Sequence, residues 1–305
     1  MDSASKKVLP RPARTASAEL DAALVRRVVS EALAEDLGAG DVTTDSVVPE
    51  GARATARLIA KANGTLAGLP VFTRVFLLCD AGATVAPEVR DGDPVSRGQT
   101  LVRVEGNARA ILHAERTALN FVQRLSGVAT LTAEFVRLAA GRTRILDTRK
   151  TTPGLRALEK YAVVCGGGEN HRFGLFDEAM LKDNHRDMVN SEPEALVAEL
   201  RSRVGPRVRI TAEARNDTEA RSAIRGGADV VLLDNFTPAE LAELLPGLRG
   251  HAQDLGRAVE FEASGGVDLT TIEAFAASGV DRVSVGALTH SAPALDLSLE
   301  VRAAS

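Results

Sequence analysis

The chain has 305 residues, of which 45% are hydrophobic and 26% are charged, with a formal net charge of −4 at pH 7. These values are typical of a soluble globular protein with a sizeable core, and no apolar run approaches the roughly 20 residues that span a bilayer. The negative charge, with no Trp and one Tyr, argues against nucleic-acid binding. The widely separated Cys79 and Cys165 form no disulfide framework or zinc motif and favour a cytoplasmic location.

The N-terminal part of the chain is predicted to hold one helix and a small sheet. Residues 1–17 are polar and basic, lack the apolar segment of a secretory signal, and are predicted to form a loose tail. An amphipathic helix is predicted from Ala18 to Asp36. Alternating segments at Ala54–Lys61, Thr84–Val89 and Thr100–Glu105 predict the strands of the sheet.

One segment within this sheet resembles a cofactor carrier. The run from Asp91 to Leu101 is similar to the hairpin of lipoyl and biotinyl carrier domains, which present a lysine at an exposed hairpin tip. The only lysine of the predicted small sheet, Lys61, lies outside any such motif. We therefore interpret the sheet as structural.

Two helices are predicted after the sheet, at Ala108–Leu125 and Thr130–Ala140. Arg116 and Asn120 lie four residues apart and off the apolar stripe of the first helix, so both side chains can point away from the core together.

The second half of the chain alternates strands with helices. The predicted strands are Thr143–Leu146, Glu178–Leu181, Val208–Ala212, Val230–Leu233, Val259–Ala263 and Arg282–Val285. Helices are predicted between several of them, at Glu192–Arg203, Thr218–Arg225, Pro238–Leu244 and Leu269–Ala277. This alternation predicts a parallel sheet covered on both faces. About six units favour an incomplete TIM-like α/β barrel. A doubly wound open sheet is the alternative, although the glycine-rich nucleotide fingerprint is missing.

Polar residues recur at the carboxyl end of every predicted barrel strand, where barrel enzymes place their active sites. They are Asp147, Arg149 and Lys150, then Lys182, Asp183 and Asn184, then Glu213, Asp234, Glu262 with Ser264–Gly266, and finally Gly286. A single residue of this kind can simply satisfy a turn. Its repetition in all six units favours one shared site.

The last two strand ends predict a phosphate site. Glu262–Val267 and Val283–Ala287 resemble the paired loops that hold phosphate in many barrels, where glycines let backbone N–H groups approach the anion. Two tight turns without a ligand are the alternative.

The stretch from Arg149 to Lys182 predicts an anion site. It contains four firm cations and a histidine: Arg149, Lys150, His171, Arg172 and Lys182. His171 and Arg172 follow a flexible run, Gly166–Gly168. Cations this close repel one another without a counterion, so an anionic ligand is expected. A solvated basic surface is the alternative.

Two carboxylates are predicted at the same edge. Beside a phosphate site, Glu213 and Asp234 can hold Mg²⁺ shared with substrate phosphates, act as acid and base, or pair with the arginines. No zinc spacing and no Ser-His-Asp arrangement is evident.

These motifs together resemble quinolinate phosphoribosyltransferase, also called nicotinate-nucleotide pyrophosphorylase (carboxylating), from about Glu35 to Leu299. The matching runs are His113–Asn120, Asp147–Gly154, Lys160–Val163, Gly166–Arg172, Leu181–His185, Leu232–Asn235, Glu262–Gly266 and Gly286–Ser291. The resemblance implies an N-terminal α/β sandwich at residues 18–127 and an incomplete α/β barrel at 128–290. A segment at 291–305 would pack back towards the first domain.

The resemblance also implies the activity and the roles of the site residues. The family forms nicotinate mononucleotide from quinolinate and phosphoribosyl pyrophosphate, releasing pyrophosphate and carbon dioxide, as a homodimer with shared sites and Mg²⁺. The implied substrate ligands include Thr148. The quinolinate carboxylates would be held by Arg149, His171, Arg172, Lys182 and the partner subunit's Arg116. The sugar donor would be held by Lys150, Glu213 and Asp234, and its 5-phosphate by Ser264, Gly265, Gly266, Val285, Gly286 and Ala287.

The segment Ile210–Asn216 departs from the family pattern, which alternates Val with acidic residues. Glu213 keeps its place, but its neighbours are Thr211 and Arg215. Arg215 either pairs with Glu213 or lies outside the site. Two other functions stay open: transfer to a pyridine monocarboxylate such as nicotinate, and metabolite binding without catalysis. The phosphate loops alone would also fit an isomerase of phosphorylated sugars.

Overall fold

The structure is a computed structural model that describes residues 20–304. The tail predicted at residues 1–17 lies outside the described residues. The helices are α1 (Ala22–Leu37), α2 (Thr44–Val47), α3 (Leu69–Cys79), α4 (Ala108–Ala139), α5 (Arg156–Cys165), α6 (Asp183–Val189), α7 (Pro193–Val204), α8 (Asp217–Gly226), α9 (Pro238–Asp254), α10 (Ile272–Ala277) and α11 (Ala287–His290). The strands are β1 (Arg53–Ala60), β2 (Gly64–Thr65), β3 (Thr84–Pro87), β4 (Pro94–Val95), β5 (Thr100–Asn107), β6 (Arg144–Leu146), β7 (Ala179–Leu181), β8 (Ile210–Ala214), β9 (Val230–Asp234), β10 (Glu260–Ser264), β11 (Arg282–Ser284) and β12 (Leu297–Ala303).

The N-terminal domain is a two-layer α/β sandwich. Its antiparallel sheet has the order β12-β1-β5-β3. Along β1, Ala54, Ala56 and Leu58 are buried while Arg53 and Thr55 are exposed, so only one face of the sheet packs against helices. Strand β12 pairs with β1 along its whole length, which joins the C-terminal end of the chain to this sheet.

The second domain is an incomplete barrel of six parallel strands in the order β6-β11-β10-β9-β8-β7. The first strand of the domain pairs with the last, so the sheet order is a cyclic permutation of the chain order. A barrel has this order, whereas a doubly wound sheet reverses direction at its centre. The predicted barrel is therefore confirmed. Strands β6 and β7 lie at the two ends of the sheet and do not pair, so the barrel is open between them. An isolated parallel β-bridge joins Leu146 of β6 to Glu169.

The prediction of two separate helices after the small sheet is wrong, because α4 runs unbroken from Ala108 to Ala139 and packs against both domains. Gly127 is a site of close approach within it, since a Cβ there would lie 2.0 Å from the carbonyl oxygen of Pro293. The single helix thus links the sandwich to the barrel directly.

Other elements were not predicted from the sequence: helices α2, α3, α5, α6 and α11 and strands β2, β4 and β12. Helix α9 continues past Pro246 to Asp254, although the sequence predicted its end at Leu244. A proline inside a helix removes one hydrogen bond, and the buried Leu245 and Leu248 around it offset that loss by packing in the core. Among residues 20–304, no helix has both the length and the apolar character that a membrane span requires.

Candidate active site

A cavity of about 740 Å³ opens at the carboxyl ends of the barrel strands. All of the predicted site residues except Arg116 line it: Thr148, Arg149, Lys150, His171, Arg172, Lys182, Glu213, Asp234, Ser264, Gly265, Gly266, Val285, Gly286 and Ala287. Parallel strands bring their carboxyl ends to one edge, which explains how residues far apart in sequence share one cavity.

Three cations of the cavity, Arg149, Lys150 and Arg172, are called the mouth cations below. Arg149 and Lys150 are exposed and follow β6, and Arg172 is half-buried. Within the described part of the chain, none of the three forms a salt bridge with a carboxylate; the Arg172 guanidinium donates only to the Glu178 carbonyl oxygen, at 3.3 Å. Burial and the charge of Arg149 lower the pKa of Arg172. The mouth cations therefore provide an unneutralised positive potential.

The segment that carries His171 and Arg172 is held from below by a buried ion pair. Asp147 accepts hydrogen bonds from the His171 backbone N–H at 2.9 Å and from Asn170 Nδ2 at 3.2 Å, and it pairs with Lys160. Lys160 also donates to the His171 carbonyl oxygen at 2.9 Å. Burial raises the pKa of Asp147 to about 6, against the pull of Lys160, and lowers the pKa of Lys160. The pair fixes the position of the backbone beneath the cavity.

The glycine run before this segment is closely packed, so the expectation that it is flexible is wrong. A Cβ on Gly166 would lie 2.4 Å from the Ala129 carbonyl oxygen, and one on Gly168 would lie 2.8 Å from a methyl group of Thr132. These glycines let the segment pass directly against α4.

Both ring nitrogens of His171 face protein groups. Nδ1 accepts a hydrogen bond from the Arg172 backbone N–H at 2.7 Å. Nε2 lies 3.4 Å from Oε1 of the fully buried Glu262. The ring is thus placed between Arg172 and the interior of the barrel.

The two predicted carboxylates, Glu213 and Asp234, line the same cavity but differ in their ion pairing. Glu213 is buried and pairs with Lys182 at 2.8 Å. Burial and the negative charge of Glu213 raise the pKa of Asp234. Arg215 is exposed and pairs with Glu219 at 3.6 Å. It therefore lies outside the site and does not pair with Glu213.

A metal ion at these carboxylates would need ligands from outside the chain. Among residues 20–304, no group of three or more His, Cys, Asp or Glu side chains is arranged to hold a metal. Glu213 and Asp234 alone supply two oxygen-bearing groups. This set suits Mg²⁺, which commonly takes one or two carboxylates and completes its shell with water and substrate phosphates.

The two glycine loops follow β10 and β11. Gly265 and Gly266 have φ angles of +91° and +65°, in the left-handed region, and a Cβ on Gly265 would lie 2.2 Å from Oδ1 of Asn235. On the other loop, a Cβ on Gly286 would lie 3.1 Å from Cδ of Lys150. Both loops therefore bring glycine backbone to the wall of the cavity, where their N–H groups can meet an anion.

Four lining residues had no individual role in the sequence prediction: Met180, Leu232, Asn235 and Asp268. Four others lay within predicted motifs but were not named as substrate ligands: Glu262, Val267, Ser284 and His290. Asn235 has a positive φ of 60° and donates to the Asp234 carboxylate at 2.7 Å, which orients that group. The signal for it was present in the run Leu232–Asn235, since Asn tolerates the left-handed region better than most residues.

Arg116 lies away from the cavity of its own chain. It is exposed on α4, as is Asn120. The fold thus leaves the side chain of Arg116 free to reach another molecule.

Comparison with known proteins gives a consistent result. Residues 41–126 match the family described as quinolinate phosphoribosyl transferase, N-terminal domain, and residues 128–300 match its C-terminal domain. A probable nicotinate-nucleotide pyrophosphorylase [carboxylating] of Bacillus subtilis is 41% identical over 278 residues, which cover 91% of this chain and 93% of that protein. A quinolinate phosphoribosyltransferase [decarboxylating] 2a, mitochondrial, of Nicotiana tabacum is 40% identical over 91% of this chain and 82% of its own length. The crystal structure of NadC from Streptococcus pyogenes has a TM-score of 0.88 at 38% identity, covering 95% of this chain and all (100%) of that one.

Proposed function

The chain belongs to the quinolinate phosphoribosyltransferase family, and we propose that it transfers phosphoribose from phosphoribosyl pyrophosphate to quinolinate. The products are nicotinate mononucleotide, pyrophosphate and carbon dioxide, on the route to NAD. One observation carries the proposal: a single cavity joins two glycine loops to three cations that form no salt bridge within the described residues. A pyridine dicarboxylate and a phosphorylated sugar together supply the missing anions.

The two substrates divide the cavity. Arg149, Arg172 and Lys182 bind the quinolinate carboxylates, because arginine gives forked recognition and lysine a mobile charge. Thr148 and His171 line the same side. Lys150 lies beside Gly286 and binds the phosphorylated sugar, whose 5-phosphate takes the backbone N–H groups of Ser264–Gly266 and Val285–Ala287.

The chain contributes orientation and electrostatics to the chemistry. The pyridine nitrogen attacks the anomeric carbon as the bond to pyrophosphate breaks, through an oxocarbenium-like state that Glu213 and Asp234 stabilise. The pyridine ring then carries a positive charge, so it can accept the electron pair that remains on the ring carbon when carbon dioxide departs. A proton from water then takes the place of the carboxylate on that carbon. The mouth cations hold the ring in place for both steps, and no covalent enzyme intermediate forms.

Magnesium fits as a partner of the sugar donor. Asp234 and Glu213 would hold the ion, which would supply positive charge to stabilise the leaving pyrophosphate. Glu213 is paired with Lys182, so Asp234 is the one of the two carboxylates that forms no salt bridge within the described residues.

We assign the active form as a homodimer in which Arg116 of each subunit completes the quinolinate site of the other. The exposed place of Arg116 off the cavity supports this, as do Leu175 and Phe176, which lie between Arg172 and β7 in the chain and are 73% and 81% exposed. The free Cys79 and Cys165 support a cytoplasmic protein.

The function is tested by offering the protein quinolinate or nicotinate, each with phosphoribosyl pyrophosphate and Mg²⁺. We expect nicotinate mononucleotide from quinolinate only. Product from nicotinate only would show a monocarboxylate transferase, and tight quinolinate binding without product would show a non-catalytic binder.

A further inference from the structure

The interior of the barrel below the cavity is occupied by ion pairs. Five residues linked by ion pairs form what we call the axial charge network: Arg144, Arg209, Glu260, Glu262 and Arg282. Glu260 pairs with Arg144 at 2.6 Å and also with Arg209. Glu262 pairs with Arg282 through Nε at 2.6 Å. The strand register places Glu262 on β10 directly beside Arg282 on β11.

Glu262 is the member of this network that reaches the cavity. It is 0% exposed, so its carboxylate is stable as an ion only because Arg282 accompanies it. Burial works against ionisation, but the Arg282 charge and the neighbouring His171 and Ser284 side chains outweigh it and lower the pKa of Glu262 to about 2. The carboxylate is therefore charged at every pH at which an enzyme works.

One oxygen of Glu262 faces the His171 ring. Oε2 is taken by Arg282, whereas Oε1 and His171 Nε2 are both buried and have no hydrogen-bond partner among the described residues. The two atoms face each other at 3.4 Å, a few tenths of an ångström beyond a formed hydrogen bond. A hydrogen bond between these two atoms would therefore give each of them a partner.

The other side of the His171 ring fixes its tautomer. Because Nδ1 accepts the Arg172 backbone N–H, the network of hydrogen bonds assigns the ring proton to Nε2, facing Glu262. A series of contacts then runs from Arg282 through Glu262 and His171 to the backbone of Arg172. Arg172 is one of the three mouth cations, which form no salt bridge with a carboxylate of the described residues.

We infer that Glu262 and Arg282 are positioning residues for quinolinate, which orient His171 so that it holds Arg172 at the carboxylate site. The inference rests on the proposed function. It gives His171 the role of a connector, since both of its ring nitrogens are engaged by the protein. Glu262 and Arg282 should therefore affect quinolinate recognition without contacting either substrate.

The test replaces the buried pair by apolar residues of similar size, Glu262→Leu with Arg282→Met, so that neither residue leaves the other as an unpaired charge. Glu178, which lies 4.0 Å from Arg282, keeps the hydrogen bond from the Thr211 hydroxyl. We expect the KM for quinolinate to rise about tenfold or more, since a charge-assisted bond is lost, and the KM for phosphoribosyl pyrophosphate to change by less than about twofold. The matched control is Glu260→Gln, on the same face of the same strand. It removes the charge that faces Arg144, Arg209 and, at 3.7 Å, Arg282. Because it keeps the bond between Glu262 and Arg282 Nε, it should leave the KM for quinolinate unchanged.

A quinolinate KM within about twofold of wild type in the double variant would overturn the inference, as would an equal rise in the Glu260→Gln control. A second measurement does not depend on the variant folding. Ring ¹⁵N NMR of His171 in the wild-type protein, assigned against His171→Asn, should show the Nε2–H tautomer, and the Nδ1–H tautomer would contradict the inference. If wild type releases no carbon dioxide from quinolinate, the proposed function fails instead, and the NMR result still stands alone.

Discussion

The cations of the barrel differ in one respect between its mouth and its interior. In the axial charge network, Arg282 and Arg144 each meet a carboxylate at 2.6 Å, so both cations are paired within the chain. At the mouth, Arg149, Lys150 and Arg172 meet no carboxylate of the described residues in a salt bridge. Paired cations stabilise the fold, whereas unpaired cations are a cost that only a ligand removes. The same residue types thus have separate roles that can be measured independently.

Breaking a pair in the interior should have the largest effect, and mainly on stability. Arg282→Met leaves the Glu262 carboxylate buried and unpaired, so the free energy of unfolding should fall by about 3–5 kcal/mol. Urea unfolding measures it. The control is Arg249→Met, which removes a half-exposed pair with Asp281 and should cost at most about 1 kcal/mol. Equal losses in both variants would contradict the division between interior and surface charges.

Removing a mouth cation should lower activity strongly without lowering stability. Arg172→Ala should lower kcat/KM for quinolinate about 100-fold, mainly through KM, because bonds to a charged ligand contribute about 1.5–3 kcal/mol each. Its free energy of unfolding should stay equal or rise, since the repulsion from Arg149 is relieved. Steady-state kinetics and urea unfolding of the same preparation check both. A normal KM for quinolinate would refute the role of Arg172.

Sharing of the mouth between subunits gives an intermediate effect. Arg116→Ala and Arg149→Ala should each be nearly inactive, but a heterodimer of the two has one intact site. After subunit exchange, an equal mixture should recover about a quarter of wild-type activity, because half of the dimers are mixed and each carries one native site. Verified exchange without recovery would count against the shared site.

The smallest effect concerns the carboxylates. Glu213→Gln removes the negative neighbour of Asp234, so the raised pKa of Asp234 should fall. Because that pKa is raised in the folded protein, protonated Asp234 favours folding at low pH, and the contribution is lost as the pH rises through the folded-state pKa. In the Glu213→Gln variant, the loss of folding free energy with rising pH should be smaller than in the wild-type protein. Carboxyl NMR titration of Asp234 measures the shift, and an unchanged titration would show that the two groups do not interact.

Much of the barrel could be predicted from the sequence because its signals are local. All six barrel strands lie within two residues of their predicted positions at either end, since buried parallel strands are short apolar runs bounded by turns. Their carboxyl ends then share one edge by topology, which is why residues as distant as Arg149 and Gly286 were assigned to one site correctly in space.

The parts that failed depend on contacts between distant residues. The continuity of α4 rests on Gly127 meeting Pro293, and the close packing of Gly166 rests on the same helix. Likewise, Glu262 was recognised as a polar strand-end residue, but its pairing with Arg282 follows from strand register, which the sequence does not display. Propensity and periodicity describe neighbours along the chain and say little about such contacts.

The central claim is that the mouth cations serve a pyridine dicarboxylate that reacts with a phosphorylated sugar. The most direct test is the release of labelled carbon dioxide from quinolinate labelled in its 2-carboxylate, with and without phosphoribosyl pyrophosphate. We predict release only when the sugar donor is present, and a release reduced about 100-fold in Arg172→Ala at limiting quinolinate. Release that is independent of the donor, or no release with folded protein and Mg²⁺ present, would contradict the account.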